Sequence, residues 1–183
     1  MPAYPKLMAA ALALAAAAGG SVAATSAADG TPHDVVFGSA TNEFPTPVGP
    51  GSDRLDVLAF SGPAGENPGG FVHAVGTTGL PMGAFEVAGP VTCLRVEGNK
   101  AAIKYRFDQA SGSASTFKGG GVEVFIEDNG KAVDANAAGP PQTAAVFAPA
   151  AKQCDDPALA AYDTVNSGGY TVIDQDGGSV DAD

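Results

Sequence analysis

Tryptophan is absent from this chain of 183 residues, histidine and cysteine occur twice each, and Lys and Arg together number 9 against 20 Asp and Glu. Each shortage removes or weakens a class of function. The lack of tryptophan counts against a sugar site built on indole stacking and leaves only Tyr or Phe for that role. Two His and two Cys are too few and too scattered for a spaced zinc site such as C-x-x-C with H-x-x-x-H. A formal net charge of −11 repels nucleic acid and anionic lipid surfaces. No G-x-S-x-G elbow occurs, so the nucleophile turn of the α/β-hydrolases is missing. Beyond the N-terminal leader, no stretch keeps the i, i+3, i+4, i+7 apolar spacing over three turns, which argues against long helices.

What is present begins with that leader. Lys6 precedes an apolar run from Leu7 to Ala18, then Gly19-Gly20 and mostly small residues from Ser21 to Ala28. This order predicts a secretory signal peptide over residues 1–24. Cleavage after Ala24 uses Val22 at −3; a later cut, after Ala27, uses Thr25. The run of about 12 apolar residues falls short of the roughly 20 that cross a bilayer, and no Cys lies there to carry a lipid. The mature chain, more acidic by the loss of Lys6, is expected outside the cytoplasm, in the periplasm or the medium. It has room for one domain, over 30–174, followed by an acidic tail over 175–183.

Short apolar or alternating runs recur along that domain. They are Val35–Gly38, Leu55–Phe60, Phe71–Val75, Phe85–Val87, Val91–Glu97, Ala101–Phe107, Val122–Glu127 and Tyr170–Ile173, most of them bounded by Gly, Pro, Asn, Asp or Ser. The fold class predicted is all-β, an antiparallel sandwich or small barrel of about seven to eight short strands. Gly98-Asn99 predicts a tight hairpin. Counting outward pairs Val96 with Ala101, Leu94 with Ile103 and Thr92 with Tyr105 on an apolar face. Arg95, Glu97, Lys100, Lys104 and Arg106 then share the solvent face with Val91, Cys93 and Ala102. The Ser- and Gly-rich stretch 109–120 reads as a mobile connection, Asn129-Gly130 as a second tight turn of type I′, and 135–141 as loop. Asp156-Pro157 opens a helical turn with Asp155 or Asp156 as its cap.

The run Gly89-Pro90-Val91-Thr92-Cys93-Leu94-Arg95-Val96-Glu97-Gly98-Asn99-Lys100-Ala101, with Val124-Phe125-Ile126-Glu127-Asp128-Asn129-Gly130 after it, resembles a recurring core of small secreted bacterial β-rich proteins without an established activity. Those proteins share a V-T-C-L-x-V-x-G-N-x-A hairpin, a later D-N-G turn and a closing Gly-rich strand. The resemblance covers roughly residues 85–174 and implies secretion and a β-rich domain, with no catalytic residues. The chain departs from that pattern at Lys104–Arg106 and at Lys131-Ala132.

Candidate chemical groups are few. Only His33 and His73 can serve as imidazole bases; His33 falls in a turn-prone segment, and His73 shares a strand face with Phe71 and Val75. Glu127-Asp128-Asn129-Gly130 with Asp134, and Asp174-Gln175-Asp176-Gly177, place oxygen ligands on turns without completing a calcium loop. Paired carboxylates for glycoside hydrolysis are not singled out among so many acids. Four of the nine basic residues, Arg95, Lys100, Lys104 and Arg106, share one hairpin face; they suit either an acidic ligand or cross-strand pairs with Glu97, Glu123 and Glu127. Cys93 and Cys154 are expected to form one disulfide, because export favours it, no other Cys competes, and Cys93 lies on the outer face opposite Lys104.

These readings lead to an exported non-catalytic β-domain acting at or beyond the cell envelope. Its partner there is an envelope or extracellular component, with no cofactor, nucleic acid or stable membrane span. A small secreted carboxylate hydrolase and a calcium-dependent surface module stay open as alternatives.

Overall fold

The computed structural model describes residues 34–46, 49–62, 64–77 and 83–175. The expected leader with its cleavage window, His33 and the tail from 176 onward lie outside the described residues. Ten strands form among those described: β1 (Asp34–Thr46), β2 (Gly49–Ser61), β3 (Gly69–Thr77), β4 (Ala84–Glu97), β5 (Lys100–Arg106), β6 (Gln109–Gly112), β7 (Gly121–Glu127), β8 (Ala135–Ala138), β9 (Asp163–Thr164) and β10 (Ser167–Asp174). One short helix, α1, spans Ala144–Ala150. The expected all-β antiparallel class is what the chain adopts, with longer strands than the apolar runs alone outline.

The strands make one antiparallel sheet in the order β10-β1-β2-β3-β4-β5-β7-β8-β9, with β6 beside β4. Two features curl it into a half-barrel. The first is β4, which pairs with β3 and β6 through its first half and with β5 through its second. Between these halves the register slips at Thr92, a bulge that bends the strand and increases its twist. The second lies at the opposite edges, where β9 and β10 are separated only by Val165 and Asn166. Val165 N–H donates to Asp134 O at 3.0 Å and Asn166 N–H to Thr41 O at 2.8 Å, tying the β8–β9 edge to the β10–β1 edge. Inside this seam Asn42 Nδ2 donates to Asn136 Oδ1 at 2.8 Å and to Asp53 Oδ1 at 3.0 Å, while Asn136 Nδ2 donates to the Tyr170 hydroxyl at 2.8 Å.

Strand periodicity places the core. Leu55, Val57 and Ala59 of β2 point inward and alternate with half-buried or exposed Asp56, Leu58 and Phe60, as successive side chains of a strand must. They meet Val36, Val72, Val91, Leu94, Ile103, Tyr105, Val124 and Ile126 in one cluster. Gly98 takes φ 61° at the hairpin turn, and Leu94 stands opposite Ile103 as expected, both essentially inaccessible to solvent. Leu94→Ala is therefore expected to cost about 3 kcal/mol, measured by urea unfolding; a loss within about 0.5 kcal/mol, the range of a surface change, would contradict this packing.

Several local expectations are corrected. Tyr105 pairs with Val91, not Thr92, because the bulge ejects Thr92 and lets Val91 enter the core. Asn129-Gly130 does not close a two-residue hairpin: β8 begins only at Ala135, and of the two residues only Gly130 has positive φ, whereas a type I′ turn needs both. Part of 109–120 is ordered as β6 and a 3-10 turn at Ser115–Phe117, and part of 135–141 is β8. Asp156 does cap a 3-10 turn, accepting from Ala158 N–H, with Pro157 first.

The largest correction concerns Lys104, expected at the surface. Residues 101–105 of β5 are all buried, because the segment carrying α1 and Cys154 lies over the outer face of β5 and β7. The Lys104 ammonium donates to Ala150 O and Gln153 O and pairs with Glu123 at 3.4 Å. Cys93 and Cys154 form the expected disulfide, which anchors that segment. No helix among the described residues is long and apolar enough to cross a membrane.

Candidate binding face

Among the described residues, no segment covers the other half of the sheet in this way. Along β1, β2 and β3 the runs Val35-Val36-Phe37, Val57-Leu58-Ala59-Phe60 and Phe71-Val72 are apolar at consecutive positions, so alternation sends apolar side chains to both faces. Register aligns the outward ones into cross-strand rows. One row runs Thr171, Phe37, Leu58, Phe71, Pro90, and the next Ile173, Val35, Phe60, Gly69. Phe37 is 44% exposed, Leu58 43%, Phe60 38%, Phe71 49% and Ile173 37%, so this is a solvated apolar surface. Gly69 makes room for the Phe60 ring, which a β-carbon there would meet at 2.6 Å.

Polar groups border these rows. Arg54 donates from Nε to Ser39 Oγ at 3.1 Å and to Asp56 Oδ1 at 2.9 Å. His73 sits between Glu86, 3.0 Å from Nε2, and Asp56, 3.6 Å from Nδ1. Partial burial pushes the Asp56 carboxyl up, but the Ser39 hydroxyl, Arg54 and His73 outweigh it and hold the group below its ordinary value. His73 does share a face with Phe71 and Val75, as the sequence suggests. Both of its nitrogens face carboxylates, and Ser39 is engaged by Arg54, so neither nitrogen is directed at a hydroxyl it could activate.

A groove of about 540 Å³ opens beside Phe37, between the loop 130–134 and β10; Lys131, Val133, Asn166 and Tyr170 contribute to its walls. Its acid, Asp134, and neighbouring Asp128 belong to the first candidate calcium turn. Here they cap the free edge of β10. Asp134 accepts from Asn129 N–H at 2.8 Å and Tyr170 N–H at 2.6 Å, and Asp128 from Gly130 N–H at 2.8 Å and Val172 N–H at 3.1 Å. Each of the four carboxylate oxygens thus takes a backbone donor, which also blunts an edge open to strand addition. Asp134→Ala is expected to cost about 2 kcal/mol, since it strips a charged acceptor from two N–H groups; thermal unfolding of the variant checks it, and an unchanged midpoint would mean water serves these N–H groups equally well. In the second candidate turn, Asp174 accepts from Gly98 N–H at 2.8 Å, while Asp176 and Gly177 lie outside the described residues.

The basic row resolves into ion pairs. Lys100 meets Glu127 at 3.5 Å across the β5–β7 ladder, Lys104 meets Glu123, Arg95 bonds Glu97 through Nε at 2.8 Å, and Arg106 meets Asp108 at 2.7 Å. A smaller groove of about 340 Å³ lies beside the disulfide, with Arg95 and Lys152 on its rim. Of the candidate chemical groups that lie among the described residues, only His73 borders the apolar face. The face itself was missed, though its signal was present: apolar residues at odd and even strand positions, with no helix in the pattern to cover the second side.

No family model matches the chain, and neither a curated protein nor a solved structure does.

Proposed function

We propose that the chain is an exported, non-catalytic β-domain that acts at or beyond the cell envelope by docking a protein through the outer face of β10, β1, β2 and β3. The observation that carries this reading is the exposed row Phe37, Leu58, Phe71. Its neighbours bring the apolar surface to roughly 450 Å², within the range of about 300–600 Å² for the largest apolar patch on a single soluble chain, a patch that is often functional. The disulfide fits an oxidising compartment. A carboxylate hydrolase would need acids free to carry protons in a groove, whereas Asp134 has both oxygens committed to N–H donors.

The test places a photo-crosslinking phenylalanine at Phe71 in one protein and at Leu159, 83% exposed on another part of the surface, in a second. Irradiation in the native extracellular or envelope fraction is expected to yield discrete adducts from position 71 and none from 159. Equal capture at both positions, or none at 71, would sink the reading.

A further inference from the structure

We infer that the occupant of this face is a second copy of the same chain, related by a two-fold axis. The inference rests on the docking role proposed above and names its partner. Three observations favour self-association.

The first is the symmetry of the central row. It reads aromatic, aliphatic, aromatic: Phe37 on β1, Leu58 on β2, Phe71 on β3. In an isologous contact residue i touches j while j touches i. An axis through Leu58 and parallel to the strands sets Phe37 of each copy against Phe71 of the other and Leu58 against itself, so the three most exposed side chains of that row meet like with like. Two copies also share the same sheet twist, which lets stacked sheets pack aligned at about −30° with interleaved side chains.

The second is size. A stable association covers about 800 Å² on each side, with an apolar centre and a polar rim. The apolar rows supply roughly half of that, and Ser39, Arg54, Asp56, His73 and Glu86 supply a polar rim whose side chains already have partners within the chain.

The third is charge. The chain carries a net charge of −11, yet neither of the two apolar rows contains an ionisable residue. Two such acidic bodies approach with least repulsion through this surface. What repulsion remains is screened by salt, so the dimer tightens as ionic strength rises. A basic partner drawn by the acidic charge would behave in the opposite way.

The experiment is sedimentation of the oxidised mature chain over a concentration series at low and high salt, alongside Leu58→Glu and Leu159→Glu. The expected result is a monomer–dimer equilibrium strengthened by salt, unchanged in Leu159→Glu and weakened at least about 30-fold in Leu58→Glu. Near-ultraviolet circular dichroism shows that each variant keeps its packing. Because Leu58→Glu could perturb β2, the position-71 crosslinker gives a second readout: a covalent adduct of twice the chain mass is expected. Wild type that stays monomeric, or a dimer indifferent to Leu58→Glu, overturns the inference. An adduct of another mass overturns it while leaving the docking face standing, and absence of any adduct removes both.

Discussion

Reducing the Cys93–Cys154 bridge, or replacing both residues with alanine, is expected to lower stability by about 4 kcal/mol, the chain-entropy value for a loop of this length. The bridge closes a sequence separation of 61 residues, and the helix that precedes its far end is weak by itself. Helix α1 has seven residues, no side-chain cap and a proline at 149, far below the roughly 12 to 15 residues at which an isolated helix becomes even marginally stable. Its one buried residue is Phe147, whose ring occupies the space a side chain at Gly121 would take. Urea unfolding with and without reductant measures the difference, and the midpoint of thermal unfolding should fall by about 10 °C. Thiol labelling of denatured, unreduced protein should find none free. Two labelled cysteines, or a loss under about 1 kcal/mol, would be incompatible with a bridge that anchors this segment.

Lys104→Ala should be comparably damaging, at about 4 kcal/mol, because it leaves a buried carboxylate without its cation. Side-chain exposure is 9% for Lys104 and 8% for Glu123, and the ammonium also serves two carbonyl oxygens of the covering segment. Arg106→Ala, two residues along, removes an exposed pair with Asp108 and should cost no more than about 0.5 kcal/mol. The double variant Lys104→Met with Glu123→Leu should recover most of the loss, since an apolar pair of similar volume replaces a desolvated ion pair. Equal costs for Lys104→Ala and Arg106→Ala in chemical denaturation would refute the burial.

The same pair gives a pH dependence. Burial raises the Glu123 carboxyl above its ordinary value, outweighing the Asp155 N–H and Lys104, which lower it. The folded state therefore holds this proton more tightly than the unfolded state. The resulting contribution is fully present below the ordinary carboxyl value and is lost as pH rises through the raised one. Glu123→Gln should flatten that part of the stability profile.

Much of the centre of the chain was legible because its determinants are local. Gly98 must take positive φ, the strands on either side alternate, and one slip would exchange the two faces; Leu94 opposite Ile103 follows from counting. The disulfide was legible by elimination. Counting failed at Thr92, where nothing in Val91-Thr92-Cys93 announces an extra residue, since a bulge answers to the curvature demanded where β4 passes from pairing with β3 and β6 to pairing with β5. Asp128 and Asp134 read as a hairpin turn or calcium ligands because their real partners, the N–H groups of Tyr170 and Val172, lie some 40 positions away.

By itself the amino-acid sequence determined the all-β class, the tight turn at Gly98, the cysteine pair and the acidic character, since each depends on near neighbours or on composition. Which face of each strand meets water was decided only by the tertiary structure. Both the β1–β3 and the β5/β7 parts of the sheet are two-sided, and apart from Cys93, on the outer face beside Lys104, nothing in their sequences says which second face will be covered. On β5 and β7 a segment tethered at Cys154 arrives and turns Lys104 from a surface charge into a buried one. On β1, β2 and β3 no described segment arrives, and Phe37, Leu58 and Phe71 are left exposed. The physical reason is that burial belongs to what the chain brings back from far along its length, and alternation in a strand records only that there are two sides.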